Sequence, residues 1–302
     1  MERVIKLRAD SQQDGRSLKQ IMLHEYGMSG GLISRMKQRE DAIFVDGLPR
    51  FVNFTVHTGD EITFVVETEE MLSVGLVPTS HPVEIVFEDE DILVVNKPAG
   101  LPCHPVTGNY ENTLANYLAF YYQEKGQNFT ARVINRLDND TSGLVLLAKN
   151  SLAAGILNKM TKDRLISKLY TAVTLGIPPQ LSGEISVHIR RKAGSGLLHE
   201  TCGDEDGKEA VTSYEMTASD KSQNLALLNI RTKNGRTHQI RVHMAYIGCP
   251  LAGDFLYGTE DQNLISRHAL HMGELTLLHP LSKTPLHFSA PLPEDMRRLF
   301  PM

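Results

Sequence analysis

Apolar residues recur at intervals of three and four positions in five segments of the chain. This spacing indicates amphipathic helices, each with one buried face. The predicted helices cover residues 17–26, 32–37, 114–122, 152–160 and 237–247. Gly27 and Gly126 are placed to end the first and third helices, and Ser151 to cap the start of the fourth. The aromatic residues in 114–122 follow the helical spacing, so we expect them to pack in the core.

Shorter apolar runs between turn-forming residues indicate strands. The predicted strands cover residues 42–45, 61–66, 83–88, 92–95, 144–148, 169–175, 185–189 and 225–230. Asp46 and Gly47 form the turn that is typical of a hairpin. Helices and strands do not alternate regularly after residue 83, which favours an α+β fold over a doubly wound parallel sheet.

The composition changes between residues 68 and 82. An acidic segment passes there into one that contains Gly75, Pro78, Ser80 and Pro82, which is typical of a linker. We therefore expect a small module over residues 1–72, a linker over 73–82 and a larger domain over 83–302.

The overall composition is that of an ordinary globular protein. The chain has 302 residues, of which 41% are hydrophobic and 22% are charged. No apolar run approaches the ~20 residues of a membrane span, and the start of the chain lacks the apolar core of a signal peptide. The three cysteines are far apart and odd in number, which favours reduced thiols. We expect a cytoplasmic protein with no membrane partner.

The charge argues against strong, indiscriminate nucleic-acid binding. The formal net charge is −5 and the isoelectric point is near 6.2. Phosphate contacts would then depend on local basic clusters, of which the chain has two: Arg35, Lys37 and Arg39 in the first, and Arg190, Arg191 and Lys192 in the second. A solvated surface explains either cluster almost as well.

Residues 135–149, which read NRLDNDTSGLVLLAK, place an acid in a tight turn directly before an apolar run. The turn formers between Asp138 and Gly143 and the buried strand that follows should hold the Asp138 carboxylate at the mouth of a strand. Such a carboxylate can be a catalyst. It can equally accept hydrogen bonds from its own turn, and the spacing alone does not decide between the two.

The same segment closely resembles the catalytic motif of the RluA-type RNA pseudouridine synthases, with Asn135 where the family usually has His. Further segments resemble the family's other motifs in the same order along the chain. They are NKPAGL at 96–101, KLY at 168–170 and GRTHQIRVH at 235–243. The resemblance spans roughly residues 82–293, and it implies a catalytic domain with a mixed, largely antiparallel sheet.

The resemblance implies roles for four residues. Asp138 is the catalytic carboxylate, and Arg241 pairs with it. Tyr170 packs against the base in the active site, and taking part in removing a proton is an alternative role for it. Arg136 is implicated in displacing the target base, which an enzyme must extrude from its stack at a cost of a few kcal/mol. The reaction breaks the bond between ribose and a uracil nitrogen and rejoins the sugar to carbon five of the base. It involves no redox change, so no cofactor is expected.

The predicted helix over 237–247 agrees with the pairing of Arg241. Its apolar stripe consists of Ile240, Met244 and Ile247, and Arg241 adjoins it. A partly buried guanidinium requires a carboxylate partner to offset its lost hydration. The resemblance supplies Asp138 as that partner.

The N-terminal segment at 34–62 resembles the RNA-binding module named after ribosomal protein S four. In that module a basic helix lies on the RNA backbone, which implies Arg35, Lys37 and Arg39 as phosphate contacts. A solvated helix face is the alternative. The layout implies a monomer that acts on large-subunit ribosomal RNA, with transfer RNA open.

Other kinds of site have little support. Six of the twelve histidines lie in the last third of the chain, but no H-E-x-x-H pair occurs, so no metal is expected. The glycine-rich segments lack the strand-to-helix context of a nucleotide site. A noncatalytic RNA-binding or ribosome-assembly protein remains the main alternative. A glycosidase-like enzyme would need a second carboxylate, for which Asp140 is the only near neighbour of Asp138.

Overall fold

The structure is a computed structural model that describes residues 2–67, 76–106, 108–259, 261 and 263–300. The elements in these residues, in chain order, are β1 (Glu2–Arg8), α1 (Leu18–His24), α2 (Gly30–Met36), β2 (Ile43–Val45), β3 (Leu48–Pro49), β4 (Glu61–Glu67), β5 (Glu84–Glu88), β6 (Ile92–Lys97), α3 (Leu114–Glu124), β7 (Arg132–Val133), β8 (Ser142–Ala148), α4 (Ser151–Lys162), β9 (Ser167–Leu175), β10 (Ser182–Ser186), β11 (His188–Arg191), β12 (His199–Cys202), β13 (Val211–Asp220), β14 (Leu225–Thr232), α5 (Gln239–Tyr246), β15 (Leu270–Leu278), β16 (Pro285–Ser289) and α6 (Glu294–Arg297).

The N-terminal residues form a small antiparallel sheet with the strand order β1, β4, β2, β3. Helices α1 and α2 contribute their apolar faces to the core. Ser17 and Gln20 form a capping box at the start of α1, which satisfies two backbone N–H groups there. Asp46 and Gly47 both have positive φ, as the predicted hairpin turn requires.

The rest of the chain is built on a mixed sheet of ten described strands. Eight of them follow the order β10, β13, β14, β9, β15, β8, β6, β5, while β16 pairs with β15 and β7 with β8. Among the described pairings in this sheet, only that of β8 with β15 is parallel. The predicted α+β fold with a largely antiparallel sheet is confirmed.

Helices α3 and α4 cover buried faces with the predicted apolar residues. Tyr117 and Tyr122 of α3 are in the core, as expected. The predicted cap of α4 is wrong by one residue, because Asn150 rather than Ser151 is the N-cap. The Asn150 side-chain oxygen accepts the N–H of Ala153 at 2.8 Å, and its amide group donates to Asp91 at 2.7 Å.

Two other predicted elements differ from the structure. The strand over 185–189 is divided at Val187, whose N–H donates to the carbonyl of Ala210. β10 before it pairs with β13, whereas β11 after it pairs with β12 in a separate hairpin. The helix over 237–247 begins at Gln239, because His238 has a left-handed backbone with a φ of 55°.

The N-terminal sheet and helices pack directly on the larger domain. The Arg3 guanidinium donates to Asp91 at 2.9 Å, and Gly27 lies against Gly155 with their backbones in contact. Residues 73–75 of the predicted linker lie outside the described residues. Residues 76–82 contain neither helix nor strand, and the ring of His81 stacks on Tyr117 with 4.4 Å between centroids.

The three cysteines are free, as expected. No helix in the described part of the chain combines the length and apolarity that crossing a bilayer requires.

Gly143 allows β8 and β15 to run side by side. It pairs with Met272 in the parallel register, and its φ is 115°. A Cβ atom at this position would overlap the carbonyl of Met272 and would lie 2.7 Å from its nitrogen. Both atoms belong to a buried backbone, so neither could move aside without shifting the strand.

We expect Gly143→Ala to lower the free energy of unfolding by about 3 kcal/mol or more, because it combines backbone strain with a steric overlap. Chemical denaturation measures the change. Gly15→Ala is the control, since Gly15 also has positive φ but has no atom within 4 Å of an added Cβ. That control should cost only about 1–2 kcal/mol. Equal losses for both variants would contradict the packing argument.

Candidate active site

One cavity of about 880 Å³ contains the four predicted site residues of the larger domain. Arg136 and Asp138 reach it from the loop that precedes β8, Tyr170 from β9 and Arg241 from α5. Residues far apart in the chain therefore meet at one place, as the motifs predict. The volume lies in the range of about 300–1,000 Å³ that is typical of small-molecule sites.

The Asp138 carboxylate is open to this cavity. Its side chain is 27% exposed, and its Oδ2 atom lies 3.5 Å from Nη1 of Arg241 and 3.9 Å from Nε2 of His238. The carbonyl of Asp138, rather than its side chain, accepts the N–H of Thr141 at 3.1 Å. Within the described ranges, the carboxylate accepts no hydrogen bond from its own turn, so the turn-capping interpretation is wrong.

Arg241 has a different principal partner from the one predicted. Its Nε and Nη2 atoms donate to the two carboxylate oxygens of Asp254 at 2.8 and 2.7 Å, while only Nη1 faces Asp138. The Arg241 side chain is 3% exposed and that of Asp254 is fully buried. Burial opposes the ionisation of Asp254, but the hydrogen-bonded guanidinium outweighs it and lowers the pKa of that carboxyl.

Asp254 is the functional residue that the sequence patterns do not reveal. It also accepts the N–H groups of Leu256 and Tyr257, at 3.0 and 3.2 Å, so it holds its own turn as well as Arg241. This bidentate pair fixes the guanidinium plane and aims the remaining nitrogen at Asp138.

Tyr170 lies on β9 at the cavity wall and is 9% exposed. Burial raises the pKa of its phenol, and the nearby charge of Asp138 raises it further. The hydroxyl therefore stays protonated at neutral pH, which suits a packing role better than proton removal. Lys168, on the same face of β9, also lines the cavity.

Buried cations hold the loop that carries Asp138. The Nζ atom of Lys97 is fully buried and donates to the carbonyls of Pro98, Leu101 and Asn139 at 2.8, 2.8 and 2.9 Å. Burial lowers the pKa of Lys97 to about 8. The Nη1 atom of Arg267 donates to the carbonyl of Asp140 at 2.9 Å. The carbonyls of the successive loop residues Asn139 and Asp140 therefore each accept a hydrogen bond from a buried cation.

Two further contacts complete the loop. Thr141 Oγ1 lies 2.7 Å from Nε2 of the buried His268. Asn135, which stands where the family usually has His, is buried, donates to the carbonyl of Leu144 and accepts the N–H of Leu146. Asn135 therefore lines the cavity, but both of these hydrogen bonds support β8. Arg136, by contrast, is exposed at the cavity and forms no ion pair with a described residue.

The predicted phosphate contacts of the N-terminal module do not line this cavity. Arg35 and Lys37 are exposed. Arg39 lies close to the carboxylates of Glu2, Asp41 and Glu67, at 3.0, 2.9 and 3.0 Å. Its charge is therefore neutralised within the protein, and only the first two remain available to phosphates.

The histidines do not form a metal centre in the described residues, where no cluster of three His, Cys, Asp or Glu side chains could hold an ion. His268 and His271 are instead buried hydrogen-bonding residues behind the loop that carries Asp138.

Solved structures share this fold. The human RNA pseudouridylate synthase domain containing 1 protein superposes with a TM-score of 0.58 and 26% identity, covering 74% of this chain and 88% of the human chain. The fold is thus shared with a human protein that is named for its RNA pseudouridylate synthase domain.

Residues 91–246 match the family described as RNA pseudouridylate synthase, and the chain belongs to this family, in its RluA-type branch. It is an isomerase that acts on RNA. An RNA pseudouridine synthase of Bacillus subtilis, YjbO, is 36% identical over 91% of this chain and 95% of its own length. The ribosomal large subunit pseudouridine synthase D of Zymomonas mobilis is 41% identical over 74% of each chain.

We expect Asp254→Asn to lower the free energy of unfolding by about 3–5 kcal/mol, because it leaves the buried Arg241 guanidinium without a full counter-charge. Chemical denaturation measures this. Asp206→Asn is the control, since Asp206 pairs with Arg190 at the exposed surface and should cost no more than about 1 kcal/mol. A similar small loss for Asp254→Asn would show that Asp138 can replace it as the partner.

Proposed function

We propose that this chain converts specific uridines of large-subunit ribosomal RNA to pseudouridine, with Asp138 as the essential carboxylate. The observation that supports this most directly is the way in which Arg241 pairs with two carboxylates, those of Asp254 and Asp138. Asp254 accepts hydrogen bonds from two of its nitrogens, and the third faces the Asp138 carboxylate, which accepts no hydrogen bond from a described residue and is open to the cavity. A carboxylate held in this way is available for chemistry.

The reaction breaks the bond between ribose C1′ and uracil N1 and forms a bond between C1′ and C5. The C5 proton leaves and N1 gains a proton, so the product has the mass and redox state of the substrate. An ionised Asp138 can attack the base, attack the sugar carbon, or stabilise positive charge on the sugar. The Arg241 guanidinium serves each route in the same way, by placing a positive charge beside the carboxylate and orienting it.

The target base must leave its stack to reach this cavity. Arg136 is exposed at the cavity and carries no ion pair with a described residue, which suits it to occupy the vacated position in the RNA. Tyr170 presents a protonated phenol ring at the cavity wall, where the extruded uracil can pack against it.

The choice of ribosomal RNA rests on similarity to the synthase of Zymomonas mobilis, whose name specifies the ribosomal large subunit. The N-terminal module is consistent with it. We assign this module as an RNA-binding domain like that of ribosomal protein S four, with Arg35 and Lys37 exposed towards phosphates and Arg39 held internally. Transfer RNA is the competing substrate.

We expect Asp138→Asn to reduce turnover by more than about 1,000-fold, because the amide removes the anion that every route requires. RNA affinity should change by less than about threefold, since phosphate contacts dominate binding. The assay is tritium release from unmodified ribosomal and transfer RNA transcripts labelled at uracil C5, with filter binding in parallel. Asp140→Asn, which alters the neighbouring carboxylate, is the control and should retain turnover.

Several results would contradict this assignment. Equal loss of turnover and binding would make Asp138 a structural residue. Loss of turnover in Asp140→Asn as well would favour a two-carboxylate mechanism. Binding of both transcripts without release by the native chain would favour the noncatalytic RNA-binding protein. Release from transfer RNA alone would move the substrate to that class.

We expect the double variant Arg35→Gln, Lys37→Gln to bind RNA more weakly and to reduce the slope of log affinity against log salt by roughly 1.4–1.8, since each phosphate contact adds about 0.7–0.9. Filter binding over a series of salt concentrations measures the slope. Arg39→Gln is the matched control, because its three carboxylate partners already neutralise it. An unchanged slope in the double variant would place the RNA on another surface.

A further inference from the structure

His238 lies beside the proposed catalytic carboxylate, in a strained conformation. Its Nε2 atom is 3.9 Å from Oδ2 of Asp138, and its side chain is 14% exposed. The backbone of His238 has a φ of 55°, in the left-handed region that L-residues rarely occupy, immediately before α5. Such strain persists only where the surroundings hold it, and it is concentrated at functional sites.

Tyr257 determines where the proton of His238 sits. The Tyr257 hydroxyl accepts the backbone N–H of His199 at 2.9 Å and lies 2.8 Å from Nδ1 of His238. Burial raises the pKa of this phenol, so it keeps its proton, and among the described residues Nδ1 is the acceptor for it. The hydrogen-bond network therefore assigns the imidazole proton to Nε2, which faces Asp138.

Two donors consequently converge on the same oxygen of Asp138. Nη1 of Arg241 and the Nε2–H of His238 both approach Oδ2, at 3.5 and 3.9 Å. The Arg241 and His238 contacts are about 0.6 and 1 Å longer than a hydrogen bond, so the carboxylate must rotate towards the two donors for both bonds to form. With Oδ2 held by both donors, Oδ1 becomes the oxygen that is presented to the cavity.

We propose that His238 and Tyr257 form a positioning pair that orients Asp138 so that Oδ1 faces the target uridine. The proposal rests on the function proposed above, because it concerns the same carboxylate. Tyr257 fixes the tautomer and ring of His238, and His238 donates to Oδ2. Neither residue is required to exchange a proton with the RNA.

Burial keeps His238 neutral. The groups that face it are Asp138, Arg241, Asp254 and the ring of His199, whose centroid lies 5.4 Å away. Burial is the largest influence and lowers the pKa of His238, and Arg241 and His199 act in the same direction. The carboxylates of Asp138 and Asp254 oppose this shift, but the net effect is a lowered pKa. A neutral ring donates one hydrogen bond without neutralising the Asp138 charge, whereas an imidazolium would form an ion pair and withdraw the carboxylate from the substrate.

The test compares two substitutions with the same backbone cost. Gln and Leu both lack the freedom of glycine at a left-handed position, but Gln can place an N–H donor where Nε2 lies. We expect His238→Leu to lower the single-turnover rate of tritium release by about 10- to 100-fold, the value of one hydrogen bond to a charged group. His238→Gln should stay within about fivefold of the native rate, and RNA affinity should be unchanged in both.

The pH profile of Tyr257→Phe separates positioning from a merely structural role. The Tyr257 hydroxyl can donate only to the neutral ring, so its removal raises the pKa of His238. More imidazolium is then present at each pH, and the acid limb of the single-turnover rate should move to higher pH. A structural defect would lower the rate equally at every pH.

The native chain tests the underlying function in the same experiment. If it releases no tritium from unmodified ribosomal or transfer RNA transcripts, the proposed function is wrong and the positioning role fails with it. If the native chain is active, equal rates for His238→Leu and His238→Gln, or superimposable pH profiles for Tyr257→Phe and the native chain, would refute the positioning pair alone.

Discussion

The active-site loop depends on buried cations that donate hydrogen bonds to its carbonyl oxygens. A turn that carries a reactive carboxylate must leave that side chain free, so the turn has to be stabilised by other groups. Lys97 and Arg267 do this through the carbonyls of Asn139 and Asp140. Burying two cations is unfavourable, but each is surrounded by acceptors that replace its water. Removing either cation would leave several carbonyls without their hydrogen-bond donor at once.

The pair of acids around Arg241 illustrates how one cation can serve structure and chemistry together. Asp254 is completely buried and takes the geometrically ideal bidentate position, which offsets the desolvation of the guanidinium. Asp138 is left with a longer, single contact and with access to solvent. A carboxylate in the position of Asp254 would be too strongly bonded to react, while one without any cation beside it would not be oriented.

Elements with a clear buried face could be predicted from the sequence, and contacts between distant segments could not. Every residue of β8 is buried, so its apolar run was unambiguous. β1 was missed because Arg3 occupies an inward position, and its partner Asp91 lies 88 residues away. The motif resemblance placed Asp138 and Arg241 in one cavity, but Asp254 looks like any acid in a turn. Its importance arises only when the fold buries it against Arg241.

The contact between Gly27 and Gly155 has a consequence for how this protein can diverge. A side chain on either glycine would meet the backbone carbonyl of the other. A larger residue at one position therefore cannot be accommodated by a smaller residue at the other, because the atom it would meet belongs to the backbone. A side chain at either position would require the backbone segments that carry Gly27 and Gly155 to move apart. Substitution at this contact therefore cannot fine-tune the spacing between the two parts, which changes only if the backbone itself moves.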